Sequence, residues 1–307
     1  MIACNATASP KTVTAAAFAR RPRLTYTVGG ISAGIFAPSG MKLQLDREME
    51  LFASNPGSLD IRIDVDWVDD LRRPSVAPLF DSGGLWSLFE ESGGYRFYFC
   101  TPFLGSAPYK AAWFDRDFSH GHIALFRRYY DPQRAINPIE YPLDELLAIH
   151  RLSRGEGVEV HAVGVVDAED RGHLFLGHSG AGKSTSARLW QQSGGRVLSD
   201  DRIILRLDGE RVCMFGTPWH GDAGIALSDS AELSSIYILA HGLKNDLTLL
   251  SPGRAAAELF ARSFVPHHSA EGVRCILNFL DRITSQIPCS VFEFLPDFSS
   301  VEAIYHA

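Results

Sequence analysis

Residues 177–185 read Gly-His-Ser-Gly-Ala-Gly-Lys-Ser-Thr, a complete match to GxxxxGK[ST]. No other segment restricts the fold as strongly, because the pattern works only between a strand and a helix. Gly177, Gly180 and Gly182 permit backbone turns that curl N–H groups around an anion. Lys183 is placed to set its ammonium against the β- and γ-phosphates, and the Ser184 hydroxyl to ligate Mg²⁺. The whole loop, Gly177, Ser179, Gly180, Ala181, Gly182, Lys183, Ser184 and Thr185, is therefore the candidate nucleotide cradle. The alternative is a glycine-rich turn that binds nothing.

The flanks have the required character. His173 to Leu176 is a short apolar strand, and Lys183 to Gln192 reads as a helix that adds its positive dipole end. Around them, Val158 to Val166, Arg196 to Ser199, Ile203 to Leu207, Arg211 to Phe215, Ile236 to Leu239 and Val291 to Leu295 read as strands. Helical patterns fall near 252–263, 270–285 and 301–305. This mixture is α/β. Asp200 and Asp201 follow the strand that ends at Ser199. A phosphate-binding loop needs a carboxylate to hold Mg²⁺, directly or through water. Adjacent residues on an extended chain point to opposite sides. One of the pair therefore faces the phosphates, and the other meets metal, water or backbone. An Asx-type turn between strands is the plainer reading.

The first half is β-rich. Leu59 to Trp67 alternates apolar and polar, as a half-buried strand does. Leu85 to Glu90 and Tyr95 to Cys100 flank a hairpin turn at 91–94, and a second turn is expected around Gly121. Pro142 to Arg151 looks helical. The boundary falls near residue 140: a β-rich α+β domain over 1–140, for recognition or assembly, and a P-loop domain over 141–307. At 307 residues and 46% hydrophobic content the chain can bury a core in each.

The segment from His161 to Asp201 resembles the catalytic domain of the HPr kinase/phosphorylase family, itself related in fold to ATP-dependent phosphoenolpyruvate carboxykinases. The resemblance rests on His161 in the strand before the loop, the 177–184 loop, and Asp200-Asp201 after it. It covers about forty residues, is weaker towards residue 307, and does not extend before about 145. It implies a kinase that uses ATP and Mg²⁺ and phosphorylates a serine hydroxyl. Asp201 would accept the hydroxyl proton, Lys183 would hold the β- and γ-phosphates, Ser184 would bind Mg²⁺, and His161 would stand beside the transferring phosphate. Family relatives are oligomers, so a homo-oligomer is implied.

The chain departs from that family in two places. Thr185 stands where the kinase/phosphorylase has an acidic residue, and its Arg-Gly-rich downstream segment is replaced by Phe215-Gly216-Thr217-Pro218-Trp219-His220-Gly221-Asp222. Such a GTPWHG element resembles uncharacterised relatives. It makes Asp222 a candidate second metal ligand alongside Asp200, with Trp219 and His220 at the acceptor side. The acceptor is then a serine of a protein, peptide or small molecule, including lasso-type precursor peptides. A non-catalytic ATP-sensing module and carboxykinase chemistry on a keto acid are the alternative readings.

Charge and cysteine usage bound the partners. A net charge of -7 argues against nucleic acid. Residues 1–45 carry five bases (Lys11, Arg20, Arg21, Arg23 and Lys42) and no acid. That composition suits either an organelle transit peptide or a frayed lead into a first strand, and lacks the apolar region of a secretory signal. The densest apolar run, Ile236 to Ala240, has five residues, so no membrane span is expected. Five scattered cysteines (Cys4, Cys100, Cys213, Cys275 and Cys289), none in CxxC spacing, fit a reducing cytoplasm. The pairs His267-His268 and Arg254/Arg262 are weaker candidates for metal and phosphate.

Overall fold

The computed structural model describes residues 21–178 and 180–306. The early bases Lys11 and Arg20, Cys4, and Ser179 of the glycine-rich loop lie outside the described residues. The chain is a mixed α/β structure rich in sheet. No helix among the described residues is long and apolar enough to cross a membrane.

Eight strands form the first sheet: β1 (Leu24–Val28), β2 (Ile31–Phe36), β3 (Ile61–Val68), β4 (Phe80–Asp81), β5 (Trp86–Glu91), β6 (Gly94–Thr101), β7 (Gly105–Asp115) and β8 (His120–Phe126). Their spatial order is β1-β2-β3-β8-β7-β6-β5-β4. The expected β5–β6 hairpin is present, with Glu91 opposite Gly94. The turn expected around Gly121 is displaced: Gly121 lies inside β8, opposite Phe114 of β7. A Cβ there would sit 2.1 Å from the Phe114 ring, so glycine is required by a ring lying across the strand and not by a turn. A short helix α1 (Arg47–Glu50) follows β2, and α2 (Leu143–Leu152) follows β8. Alternate residues Ile61, Ile63 and Val65 of β3 join Leu143, Leu146 and Leu147 of α2 in one buried cluster.

The second sheet holds β9 (Gly157–Val166), β10 (Gly172–Leu176), β11 (Arg196–Ser199), β12 (Arg202–Asp208), β13 (Arg211–Gly216), β14 (Ser230–His241), β15 (Asp246–Leu249), β16 (Ser263–Phe264) and β17 (Cys289–Phe294). Its hydrogen bonding closes on itself. β9 pairs with β12 through its first half and with β10 through its second, while β14 pairs with β13 and then with β10. β10, β14 and β17 run parallel, and α3 (Lys183–Gln192) follows β10. The remaining helices are α4 (Pro252–Phe260), α5 (Ala270–Thr284) and α6 (Ser299–Tyr305). The helix expected to run to 263 stops at Phe260, because Ser263 and Phe264 pair with β9 as β16.

Strand alternation assigns the layers. Val158, Val160 and Ala162 of β9 bury against Leu259 of α4 and Leu280 of α5. Val163 and Val165 bury on the other side with Ala187 and Trp190 of α3 and Ile304 of α6. The two halves of the chain touch directly. The β1–β2 turn at Gly29-Gly30 rests on β12, where Arg206 Nη1 donates to the Gly29 carbonyl at 2.9 Å. Ile204 and Trp219 belong to the same buried cluster as the first sheet.

Candidate active site

The glycine-rich loop leaves the carboxyl end of β10, the position at which open parallel sheets bind ligands. Gly180 (φ +80°) and Gly182 (φ +102°) take left-handed conformations that glycine tolerates. A Cβ on Gly182 would lie 2.4 Å from the Phe294 ring, at the end of β17, whereas the space at Gly180 is open. His241, at the end of β14, donates from Nε2 to the Gly180 carbonyl at 3.0 Å. The loop thus rests on all three parallel strands and starts α3 at Lys183.

Lys183 is buried and folds back on the loop. Its ammonium donates to the carbonyls of Gly177 (2.8 Å) and His178 (3.4 Å). Burial draws its pKa down, and the Asp201 charge only partly restores it. Ser184 is exposed, and its hydroxyl has no hydrogen-bond partner among the described residues. His178 accepts from Arg262 Nη2 at 3.1 Å, and Glu258 holds that guanidinium at 2.7 Å. Of the two arginines singled out in the sequence, Arg262 reaches the loop. The His267-His268 pair packs elsewhere, with His268 against the rings of Tyr95 and His150.

The two aspartates divide as extended neighbours must. Asp200 points towards the 217–225 loop and accepts three backbone N–H groups, from Gly221 (3.1 Å), Ala223 (2.9 Å) and Ile225 (3.2 Å). Its carboxylate therefore braces the segment that carries Trp219 and Asp222, a structural task that its assignment as metal ligand did not foresee. Asp201 turns the other way. Its Oδ1 accepts from His161 Nε2 at 2.9 Å, and its Oδ2 pairs with Arg202. Burial alone would raise the Asp201 carboxyl; the His161 hydrogen bond and the Arg202, His161 and Lys183 charges outweigh it, and the carboxyl sits below its ordinary value.

A cleft of about 500 Å³ gathers His161, Gly180, Gly182, Lys183, Ser184, Thr185, Asp200, Asp201 and Asp222. Gly177 and Ala181 stand at the back of the loop, 2.7 Å apart when a Cβ is placed on Gly177. Asp222 is exposed, and its carboxylate has no partner among the described residues. On the far side of Asp201 lies a second cavity of about 270 Å³, lined also by Arg202, Asp144, Glu145, Trp219, His220, Asp46 and Glu48. Asp201 is common to both.

Several of these residues were not singled out in the sequence. Arg202 lies between Asp201, Glu145 (2.9 Å) and Glu159 (3.6 Å). Glu159 is 1% exposed, and burial followed by the neighbouring Glu145 raises its carboxyl well above the ordinary value. A glutamate inside the apolar run of β9 was the available signal. Asp144 accepts from the Trp219 indole at 2.9 Å, and burial raises its carboxyl to about 7 despite that bond. Its folded value exceeds its unfolded one, so its stabilising contribution is complete below about 4 and is lost as pH rises towards 7. Asp144→Asn is expected to flatten that fall. Thermal midpoints at pH 5 and pH 8 check it, and an unchanged slope would contradict the assignment.

No protein-family model matches the chain, and no curated protein matches its sequence. Among solved structures, the Hpr(Ser) kinase/phosphatase from Coxiella burnetii aligns at 12% identity over 48% of this chain and 93% of that one, with a TM-score of 0.29. The likeness is weak and distant.

Proposed function

We propose that the chain is an ATP- and Mg²⁺-dependent kinase that moves the γ-phosphoryl group to a serine hydroxyl. One observation carries this reading. Asp201 lines both the cleft built on the glycine-rich loop and a second cavity of about 270 Å³. A carboxylate between two such spaces is placed to take the acceptor proton while the phosphoryl group passes on its other side.

The donor set suits the nucleotide and its metal. Gly180 and Gly182 keep side chains out of the loop, and the amino end of α3 opens beside Lys183. Among the described residues no three His, Cys, Asp or Glu side chains form a metal cage. Mg²⁺ takes one or two protein ligands and completes its shell with phosphate oxygens and water. Ser184 and Asp222, neither of which has a side-chain partner among the described residues, would hold it. The ion, when bound, neutralises charge on the β- and γ-phosphates.

The protein groups then act as follows. Lys183 exchanges its loop carbonyls for phosphate oxygens. His161 orients Asp201 from the nucleotide side. Arg202 releases Asp201 Oδ2 to the incoming hydroxyl, because Glu145 and Glu159 stand ready to hold the guanidinium. Freed of that cation, Asp201 becomes a stronger base. Asp200 keeps the Trp219–Asp222 segment in place.

The reading is tested first at Lys183. Lys183→Ala is expected to weaken ATP binding by roughly ten- to a hundredfold, the loss of one or two charge-assisted hydrogen bonds. Unchanged affinity in calorimetric titration with MgATP would overturn the nucleotide assignment.

A further inference from the structure

A third cavity, of about 140 Å³, lies where the end of α2 meets the β7–β8 turn and the start of α5. It shares no lining residue with the two spaces around Asp201. His150, 5% exposed, stands in its wall. The ring packs against Phe118 at 4.5 Å and His268 at 5.2 Å, with Phe97 edge-on. Its Nδ1 lies 2.6 Å from the Leu146 carbonyl, which can only accept, so Nδ1 carries the proton. Burial draws the pKa down to about 3, against the pull of that bond, and the ring is neutral. Nε2 is therefore a bare lone pair. With Nδ1 turned to the backbone of α2, Nε2 faces away from that helix. It is buried, and no donor among the described residues reaches it. A buried acceptor without a partner is costly and calls for an N–H or O–H group. Among the described residues no three His, Cys, Asp or Glu side chains gather to hold a metal.

The rest of the wall offers donors. α5 runs for fifteen residues from Ala270, and its cap Ser269 accepts from the Gly272 N–H. The N–H groups of Ala270 and Glu271 have no partner among the described residues. That first turn packs on the end of α2: a Cβ on Gly272 would lie 3.3 Å from Ser153 Oγ, one turn beyond His150. Arg116 and Arg154 stand in the same wall. Each shares its guanidinium with a carboxylate, Glu90 and Asp117 respectively, and Glu271 adds a further negative charge. The wall is thus close to neutral, with a positive helix end. A phosphate dianion would find no excess of cation. A carboxylate suits the helix amides and guanidiniums, provided the same molecule brings the donor that His150 lacks. We infer that this cavity binds a small α-amino or α-hydroxy acid, its carboxylate on the first turn of α5 and its N–H or O–H on His150 Nε2. The volume is that of about four or five waters, which suits a molecule of about six heavy atoms. The inference does not depend on the kinase reading.

Cys275, on the second turn of α5, lines the cavity and can report its occupation. Cys213, on β13 and equally part-exposed, is the internal control. The full chain is alkylated with iodoacetamide, and both labelling rates are followed by peptide mass mapping. The probes are L-alanine, L-lactate, propionate and isopropylamine, which are close in size. At least one of alanine and lactate is expected to slow Cys275 but not Cys213, at about tenfold lower concentration than propionate, the worth of one buried hydrogen bond. Isopropylamine, without a carboxylate, should not protect. Which of alanine and lactate protects identifies the class of acid. His150→Phe keeps the ring packing and removes the acceptor, so it should fold with an unchanged or higher thermal midpoint and lose the protection. Arg116→Ala, at an exposed position, should raise the protecting concentration a few-fold. Propionate protecting as well as alanine and lactate overturns the inference. So does protection that survives His150→Phe, and so does a Cys275 rate that no probe changes relative to Cys213.

Discussion

Asp201→Asn is expected to lower phosphoryl transfer by roughly 10²–10⁴-fold while leaving MgATP affinity within a few-fold of wild type. The asparagine amide keeps the size of the side chain but cannot accept a proton from an approaching hydroxyl. Among the described residues the Asp201 carboxylate makes no hydrogen bond to the glycine-rich loop; its partners are His161 and Arg202. The nucleotide cradle should therefore persist. Losing the negative charge also frees Arg202 towards Glu145 and Glu159, so the variant should fold. A variant that transfers at near wild-type rate would remove Asp201 as the base. A variant that loses ATP affinity in step with transfer would make Asp201 a metal or nucleotide contact instead.

The largest stability effect is expected at Arg202. Its guanidinium is the shared partner of Asp201, Glu145 and Glu159, whose side chains are mostly or wholly withdrawn from water. Arg202→Met would leave these carboxyls facing one another without a cation. Removing one partner of a buried ion pair costs about 3–5 kcal/mol. The sign with pH follows from the same geometry. Without Arg202 the Glu159 carboxyl is pushed further up and Asp201 loses one of the charges that hold it down, so both are protonated in the folded state over a wider range. The deficit therefore grows as pH rises and shrinks in acid. Glu159→Gln is the contrasting case. Burial already drives Glu159 towards its neutral form, so a neutral amide should cost less than about 1 kcal/mol. Urea unfolding at pH 5.5 and pH 8 measures both. Equal costs for the two variants would show that the cluster is not held by Arg202.

The parts of this arrangement that were legible in the sequence are those set by neighbours along the chain. The strand at 157–166, the loop after Leu176, the helix at 183–192 and the opposed directions of Asp200 and Asp201 all follow from local pattern. What was not legible depends on contacts across long intervals. Nothing near Asp200 says that it will be consumed by the backbone of Gly221, Ala223 and Ile225. Arg202 and Glu145 are 57 positions apart, and Asp46 and Glu48 reach the second cavity only because the first sheet packs on β12. Gly121 reads as a turn residue until Phe114 is seen lying across it. The short strands β15 and β16 carry too few residues for periodicity to speak, and pairing with longer strands decides them. The closing of the second sheet through both halves of β9 and β14 is likewise invisible to a reading that treats each strand as having one pair of neighbours.

The central claim is that Asp201 directs transfer of the γ-phosphoryl group to a hydroxyl. Its most direct test incubates the purified protein with γ-labelled ATP, Mg²⁺ and lysate of its own host, with Asp201→Asn alongside. Label is then followed into acid-stable, base-labile phosphoserine or a phosphorylated metabolite. The account predicts label in one acceptor with the wild-type protein and none with the variant, at equal ATP occupancy. ATP bound by both proteins, with no label leaving it in either, would contradict the account and make the chain a nucleotide-sensing module.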